Sequence, residues 1–144
     1  MAKAGIPTAI RQKVAERAIW CCEYCKSQEQ FAPQPFTLDH IMPISKGGDN
    51  DLKNLALACQ GCNGSKLAKL AVLDPLTKTV VYLFNPRLQI WTEHFAWDET
   101  FTRIVGLTPN GRATVNALKL NRKQLFNLRT FLIVFGEHPP KASY

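Results

Sequence analysis

Two Cys-x-x-Cys pairs, Cys22–Cys25 and Cys59–Cys62, constrain this chain more than any other feature of its sequence. Each pair presents two thiolates from one tight bend, and four thiolates complete a tetrahedral Zn²⁺ site with no position left open for chemistry. The predicted metal is therefore structural. The 33 residues between Cys25 and Cys59 exceed the usual zinc-ribbon gap, so a hairpin and a loop must occupy the interval. Cys21 is the spare cysteine: spacing to Cys25 selects Cys22 as the ligand, and Cys21 is expected as a small buried residue. The amino terminus lacks the long apolar core and cleavage site of a leader, and no segment approaches the ~20 apolar residues of a membrane span. A cytoplasmic protein without a membrane partner is the expectation, and a reducing compartment keeps thiols available as ligands rather than disulfides.

A chain of 144 residues suits one principal core, with residues 1–73 holding the cysteines and residues 74–144 forming an extension packed on or next to them. Its 46% hydrophobic and 20% charged residues exclude a disordered chain. The net charge of +7 and a pI near 9.3 favour a polyanionic partner, of which nucleic acid is the commonest.

Ile6, Ile10, Val14 and Ala18 recur every four residues with Arg11, Lys13 and Arg17 between them, which predicts an amphipathic helix opening near Pro7 or Thr8. Phe36 to Ile41 and Leu55 to Ala58 read as strands, Ser45 to Asp51 as a turn, and Ser65 to Val72 as a short helix. Asp74-Pro75 marks a change of character. Beyond it, Thr79 to Phe84 and Thr102 to Val105 are predicted strands, and Trp91, His94, Phe95 and Trp97 an aromatic cluster in which His94 is a packing residue. Thr108 to Leu120 and Arg122 to Phe135 are predicted helices, stopped by Gly136 and Pro139-Pro140. On the last, Leu125, Leu128, Leu132 and Phe135 should line the buried side, with Arg122, Lys123 and Arg129 off it.

Within the stretch from Leu38 to Lys66, Asp39, His40, Ile41, Pro43, Gly47, Gly48, Asn54, Leu55, Cys59, Cys62, Asn63 and Lys66 stand in an order that resembles the HNH nuclease family. Asn63 takes the place where many relatives carry a second His, making this an H-N-N variant. The resemblance implies an α+β fold with a ββα-metal core, and cleavage of DNA to 5′-phosphate and 3′-hydroxyl ends. The carboxyl-terminal half also looks like an extension found on some bacterial HNH proteins, and is expected as a packing layer.

Hydrolysing a phosphodiester requires an activated water, a charge sink for the transition state and stabilisation of the departing oxygen. His40 is the natural base, since an imidazole near pKa ~6.5 is largely neutral at cellular pH. Asp39 and Asn63 offer a carboxylate and an amide oxygen, a sparse hard ligand pair suited to catalytic Mg²⁺ or Mn²⁺. Asn54, by the resemblance, braces the loop and orients the base. Lys66 is expected to lay its charge on a flanking phosphate. Neighbouring residues on a regular strand face opposite ways, so Asp39 and His40 share a site only if the strand ends or twists there. A second function class fits the same residues: a zinc-stabilised DNA-binding module without significant turnover.

Overall fold

The computed structural model describes residues 5–141, so the outermost residues of the two expected segments, 1–4 and 142–144, lie outside the described residues. It is an α+β arrangement of five α-helices and three two-stranded antiparallel sheets among the described residues. Helix α1 spans Thr8–Arg17 and enters through Pro7, whose fixed φ of −59° suits a helix start. Val14 and Ala15 of α1 are buried, and Ile6 and Ile10 pack against the same core.

The central unit is a hairpin followed by a helix. Strand β1, Thr37–His40, pairs with β2, Leu55–Ala58, in the register Thr37↔Ala58, Leu38↔Leu57, Asp39↔Ala56 and His40↔Leu55. All four residues of β2 are buried, which explains its unbroken apolar composition. Helix α2 is Gln60–Lys66. The helix expected over 65–72 therefore begins five residues earlier and ends sooner, and Ala71–Leu73 forms strand β3 instead. The Cys59 thiolate causes this shift. It caps α2 by accepting the Cys62 N–H at 3.4 Å, so the cysteine bend is itself the first turn of the helix.

Strand β3 pairs with β4, Val80–Tyr82, in a hairpin that runs across Asp74. Helix α3 (Trp91–His94) leads into β5 (Phe95–Trp97), which pairs with β6 (Ile104–Gly106). Helix α4, Pro109–Ala117, is capped by the Thr108 hydroxyl accepting from Gly111 N and has proline at its first position. Helix α5 is Lys123–Val134.

One core joins the two expected segments. Tyr24, Leu55 and Cys62 belong to the same buried cluster as Phe84, Trp91, Phe95, Leu118 and Leu125. The Trp91 indole N–H donates to the Tyr24 carbonyl at 2.9 Å, and Arg87 is ion-paired with Glu23. The aromatic cluster forms as expected, with Trp91 5.1 Å from Phe95 and 5.8 Å from Trp97 between ring centroids. His94 packs on Phe84 and hydrogen-bonds Thr108 through Nδ1.

The burial of α5 departs from the expected stripe. Arg129 is buried and Phe135 exposed. The Arg129 guanidinium offsets its desolvation by donating to the carbonyls of Leu120 (2.8 Å) and Thr102 (3.1 Å) while stacking on Trp97. The last turn of α5 passes beyond the core, leaving Phe131 and Phe135 against each other at the surface. No described helix is long and apolar enough to cross a membrane.

Candidate active site

The two Cys-x-x-Cys bends meet. The Sγ atoms of Cys22, Cys25, Cys59 and Cys62 all lie within 4.8 Å of one another and all four residues are buried. Zn–S bonds of about 2.3 Å in a tetrahedron put sulfurs about 3.8 Å apart, and Cys25 Sγ lies 3.6 Å from Cys59 Sγ. The cluster fits a zinc ion. Cys21 is buried outside the cluster, its backbone bridged to Gln28.

Arg122, at the N-cap of α5, donates to Cys59 Sγ at 3.4 Å and approaches Cys62 Sγ at 3.7 Å. Four thiolates around Zn²⁺ leave two negative charges, and this guanidinium offsets one of them. Sequence reasoning misses it because Arg122 lies 60 residues beyond Cys62 and belongs to no motif. Gly61 makes the approach feasible, since a Cβ there would collide with the guanidinium.

With the cluster fixing the start of α2 beside β1, Asp39, His40 and Asn63 line one cavity of about 310 Å³, together with Leu38, Pro43 and Leu67. The side chains of Asp39 and His40 both border that cavity at the end of β1: the last pair of the ladder is His40↔Leu55, and Ile41 N adds one further bond in the same register, to the Asn54 carbonyl at 2.9 Å. Asp39 still faces inward and is 3% exposed. Its Oδ2 accepts from the Tyr24 hydroxyl at 2.6 Å, and its Oδ1 from Lys66 Nζ at 3.1 Å. Burial pushes the Asp39 carboxyl above its ordinary value, and the charge of Lys66 beside it pulls the other way. Burial and then the neighbouring carboxylate hold the Tyr24 hydroxyl well above its usual range, so it remains a proton donor.

The structure corrects the role of Lys66. Expected on a flanking phosphate, it is 2% exposed. Its ammonium is engaged by Asp39 and by the carbonyls of His40 (3.1 Å) and Ile41 (3.4 Å). Those three acceptors fasten the C-terminal end of α2 to the end of β1, and they compensate a charge that would otherwise be buried alone.

The imidazole of His40 is half-buried, and its Nε2 lies 2.7 Å from Asn50 Oδ1. An amide oxygen only accepts, so this bond puts the proton on Nε2 and leaves the lone pair on Nδ1. Asn50 is legible in the sequence only as turn chemistry. Asn54 serves the loop rather than the ring. Its Oδ1 accepts from Met42 N at 2.7 Å, and its Nδ2 donates to the carbonyls of Met42 (3.0 Å) and Asp49 (2.9 Å). It braces both ends of the loop, with its amide fully engaged by backbone. Gly47, at φ +93°, and Gly48, where a Cβ would strike the Met42 carbonyl, let that loop fold back tightly.

For a catalytic cation, the donor set is a carboxylate with lone pairs remaining after two hydrogen bonds and the half-buried amide of Asn63 on the first turns of α2. Hard oxygen donors in so small a number fit an ion that keeps several waters, as Mg²⁺ does. Among known proteins, the family model described as HNH endonuclease matches residues 22–69. No curated protein and no solved structure matches the chain.

Proposed function

With residues 22–69 matching the HNH endonuclease family, we propose that this chain is a metal-dependent endonuclease hydrolysing DNA phosphodiester bonds to 5′-phosphate and 3′-hydroxyl ends. The observation that carries the reading is the convergence of Asp39, His40 and Asn63 on one cavity. His40 takes a proton from the attacking water at Nδ1, and Asn50 holds the ring in that tautomer. Asn54 acts at one remove, by fixing the loop that carries Asn50. Asp39 and Asn63 would hold Mg²⁺ or Mn²⁺, which when bound supplies positive charge to the phosphate and the departing oxygen. Cys22, Cys25, Cys59 and Cys62 would hold Zn²⁺ as scaffold only. Four cysteines kept as metal-binding thiolates suit a reducing, cytoplasmic setting.

A plasmid-relaxation assay with Mg²⁺ or Mn²⁺, run beside EDTA and a His40→Ala variant, tests this reading. Conversion that EDTA and His40→Ala both abolish, with a gel shift retained, supports it. A gel shift without conversion under any divalent ion would leave a zinc-stabilised DNA-binding module in its place.

A further inference from the structure

Tyr24 is fully buried, and its hydroxyl takes no part in the chemistry described so far. It stands between two thiolate ligands, Cys22 and Cys25, in a bend anchored at several points. Glu23 N donates to the Leu57 carbonyl at 2.9 Å and the Glu23 carboxylate accepts from Leu57 N at 2.7 Å, which fastens the bend to β2. The Trp91 indole holds the Tyr24 carbonyl at 2.9 Å, and Phe84 lies edge-on to the phenol ring with centroids 6.5 Å apart. From that anchored root the hydroxyl reaches β1 and donates to Asp39 Oδ2 at 2.6 Å. The distance is that of a charge-assisted bond between a hydroxyl and a carboxylate.

Tyr24 and Lys66 both bond Asp39, and neither lines the cavity that Asp39 shares with His40 and Asn63. The carboxylate is therefore held from outside that cavity. The two donors differ in kind. An ammonium is a compact charge on a flexible stem, and that of Lys66 is divided between Asp39 and the carbonyls of His40 and Ile41. It offsets charge without fixing direction. A phenol has few side-chain torsions and a single O–H, and burial locks the ring of Tyr24 in place. An ionised carboxylate has about four lone-pair sites, so a directed donor arriving from the core leaves others for a ligand in the cavity.

We propose that Tyr24 is the positioning residue of the cation site: its hydroxyl turns the Asp39 carboxylate so that a free oxygen lone pair meets the divalent ion beside Asn63. This rests on the endonuclease reading and adds to it the group that sets cation affinity. Because Tyr24 lies between two zinc ligands, the thiolate scaffold and the catalytic ion are linked through one side chain. Because Trp91 holds its carbonyl, residues beyond the family match contribute to that ion as well. Partners that orient a metal ligand typically account for about 10–100-fold in metal affinity.

The test is Tyr24→Phe in the full, zinc-loaded chain, which keeps the ring and loses only the hydroxyl. Mn²⁺ binding is followed without DNA, by loss of the paramagnetic resonance signal of the free ion, beside Asp39→Asn and with zinc content measured throughout. Tyr24→Phe should retain the parent's zinc and bind Mn²⁺ about tenfold more weakly. Plasmid nicking should show the same rise in the Mn²⁺ midpoint and return to within about threefold of the parent rate at saturating Mn²⁺. Parent-strength Mn²⁺ binding by Tyr24→Phe, with Asp39→Asn reduced, would overturn the role of Tyr24 and leave the nuclease reading intact. So would a saturating rate that stays down by about tenfold, because the hydroxyl would then act in the chemical step. Equal Mn²⁺ binding by the parent and Asp39→Asn would remove the cation from the cavity, and the proposal with it. If Tyr24→Phe does not fold, Trp91→Phe decides, since it removes the donor on the Tyr24 carbonyl and leaves the hydroxyl in place. It should weaken Mn²⁺ binding about threefold, and binding at parent strength would overturn the proposal.

Discussion

The Lys66 ammonium lies 3.1 Å from each oxygen of the Asp39 carboxylate, with both side chains 3% exposed. A pair so deeply buried is costly to break from one side, because the remaining charge keeps its desolvation penalty and loses its partner. Lys66→Met should therefore lower the unfolding free energy by about 3–5 kcal/mol, measured by urea titration. Adding Asp39→Asn to that variant should recover a large part of the loss. A Lys66→Met protein within about 1 kcal/mol of the parent would show that the pair contributes little.

His40 and Asn50 make a second testable pair. Truncation in Asn50→Ala removes the acceptor on Nε2 and leaves the imidazole free to rotate and to change tautomer. The turnover number should fall about tenfold, equivalent to about 1.4 kcal/mol, with little change in KM and an unchanged circular dichroism spectrum. His40→Ala should cost more, about 10²–10⁴ in rate. Equal turnover of Asn50→Ala and parent would remove Asn50 from the site.

Some features of this chain are legible in its sequence and others are not, and the division is physical. The strands over 37–40 and 55–58 and the cysteine set follow from composition and spacing, because local rules govern them. Sequence places the helix after Cys59 too late, because a thiolate cap overrides the weak helix propensity of Gln60-Gly61-Cys62-Asn63-Gly64. Lys66, Arg122 and Arg129 read as surface cations, since charge suggests water unless a partner is known. Their partners, Asp39, Cys59 and the Leu120 carbonyl, are fixed by tertiary packing that no periodicity encodes. Only its place in the Asp/Asn-rich loop between the strands draws suspicion to Asn50.

Zinc and the distal helix should report on each other. Cys25→Ser is expected to lose bound zinc and the cooperative fold together, since structural zinc binding is folding free energy. Arg122→Gln should keep the fold but release zinc faster to a chelating dye, with a stability loss of about 1 kcal/mol. Metal content and release kinetics check both. Release from Arg122→Gln at the parent rate would deny the guanidinium any influence on the thiolates.

Asp74 supplies a pH dependence. Its carboxylate accepts from Arg112 at 2.9 and 3.1 Å and from the Thr77 hydroxyl at 2.7 Å, joining the β3–β4 turn to α4. The Arg112 guanidinium holds its pKa well below the ordinary carboxylate range. A group depressed in the folded state stabilises above its unfolded pKa, about 3.9, and that stabilisation drains as pH falls towards the folded value. Asp74→Asn should therefore be less stable than the parent at neutral pH, and the gap should narrow through the acid range below about pH 4. Denaturant midpoints at several pH values measure it; a constant gap would contradict the sign.

The Trp91 indole seated on the Tyr24 carbonyl, and the hairpin that crosses Asp74, bear on any attempt to trim or transplant this protein. A fragment stopped at the end of the family match would strip the lid from Tyr24, whose hydroxyl steadies Asp39, and would bare the sulfurs that Arg122 shields. The smallest portable version of the cavity thus includes the distal helix, and a graft of the loop between the two strands alone would arrive without its foundations.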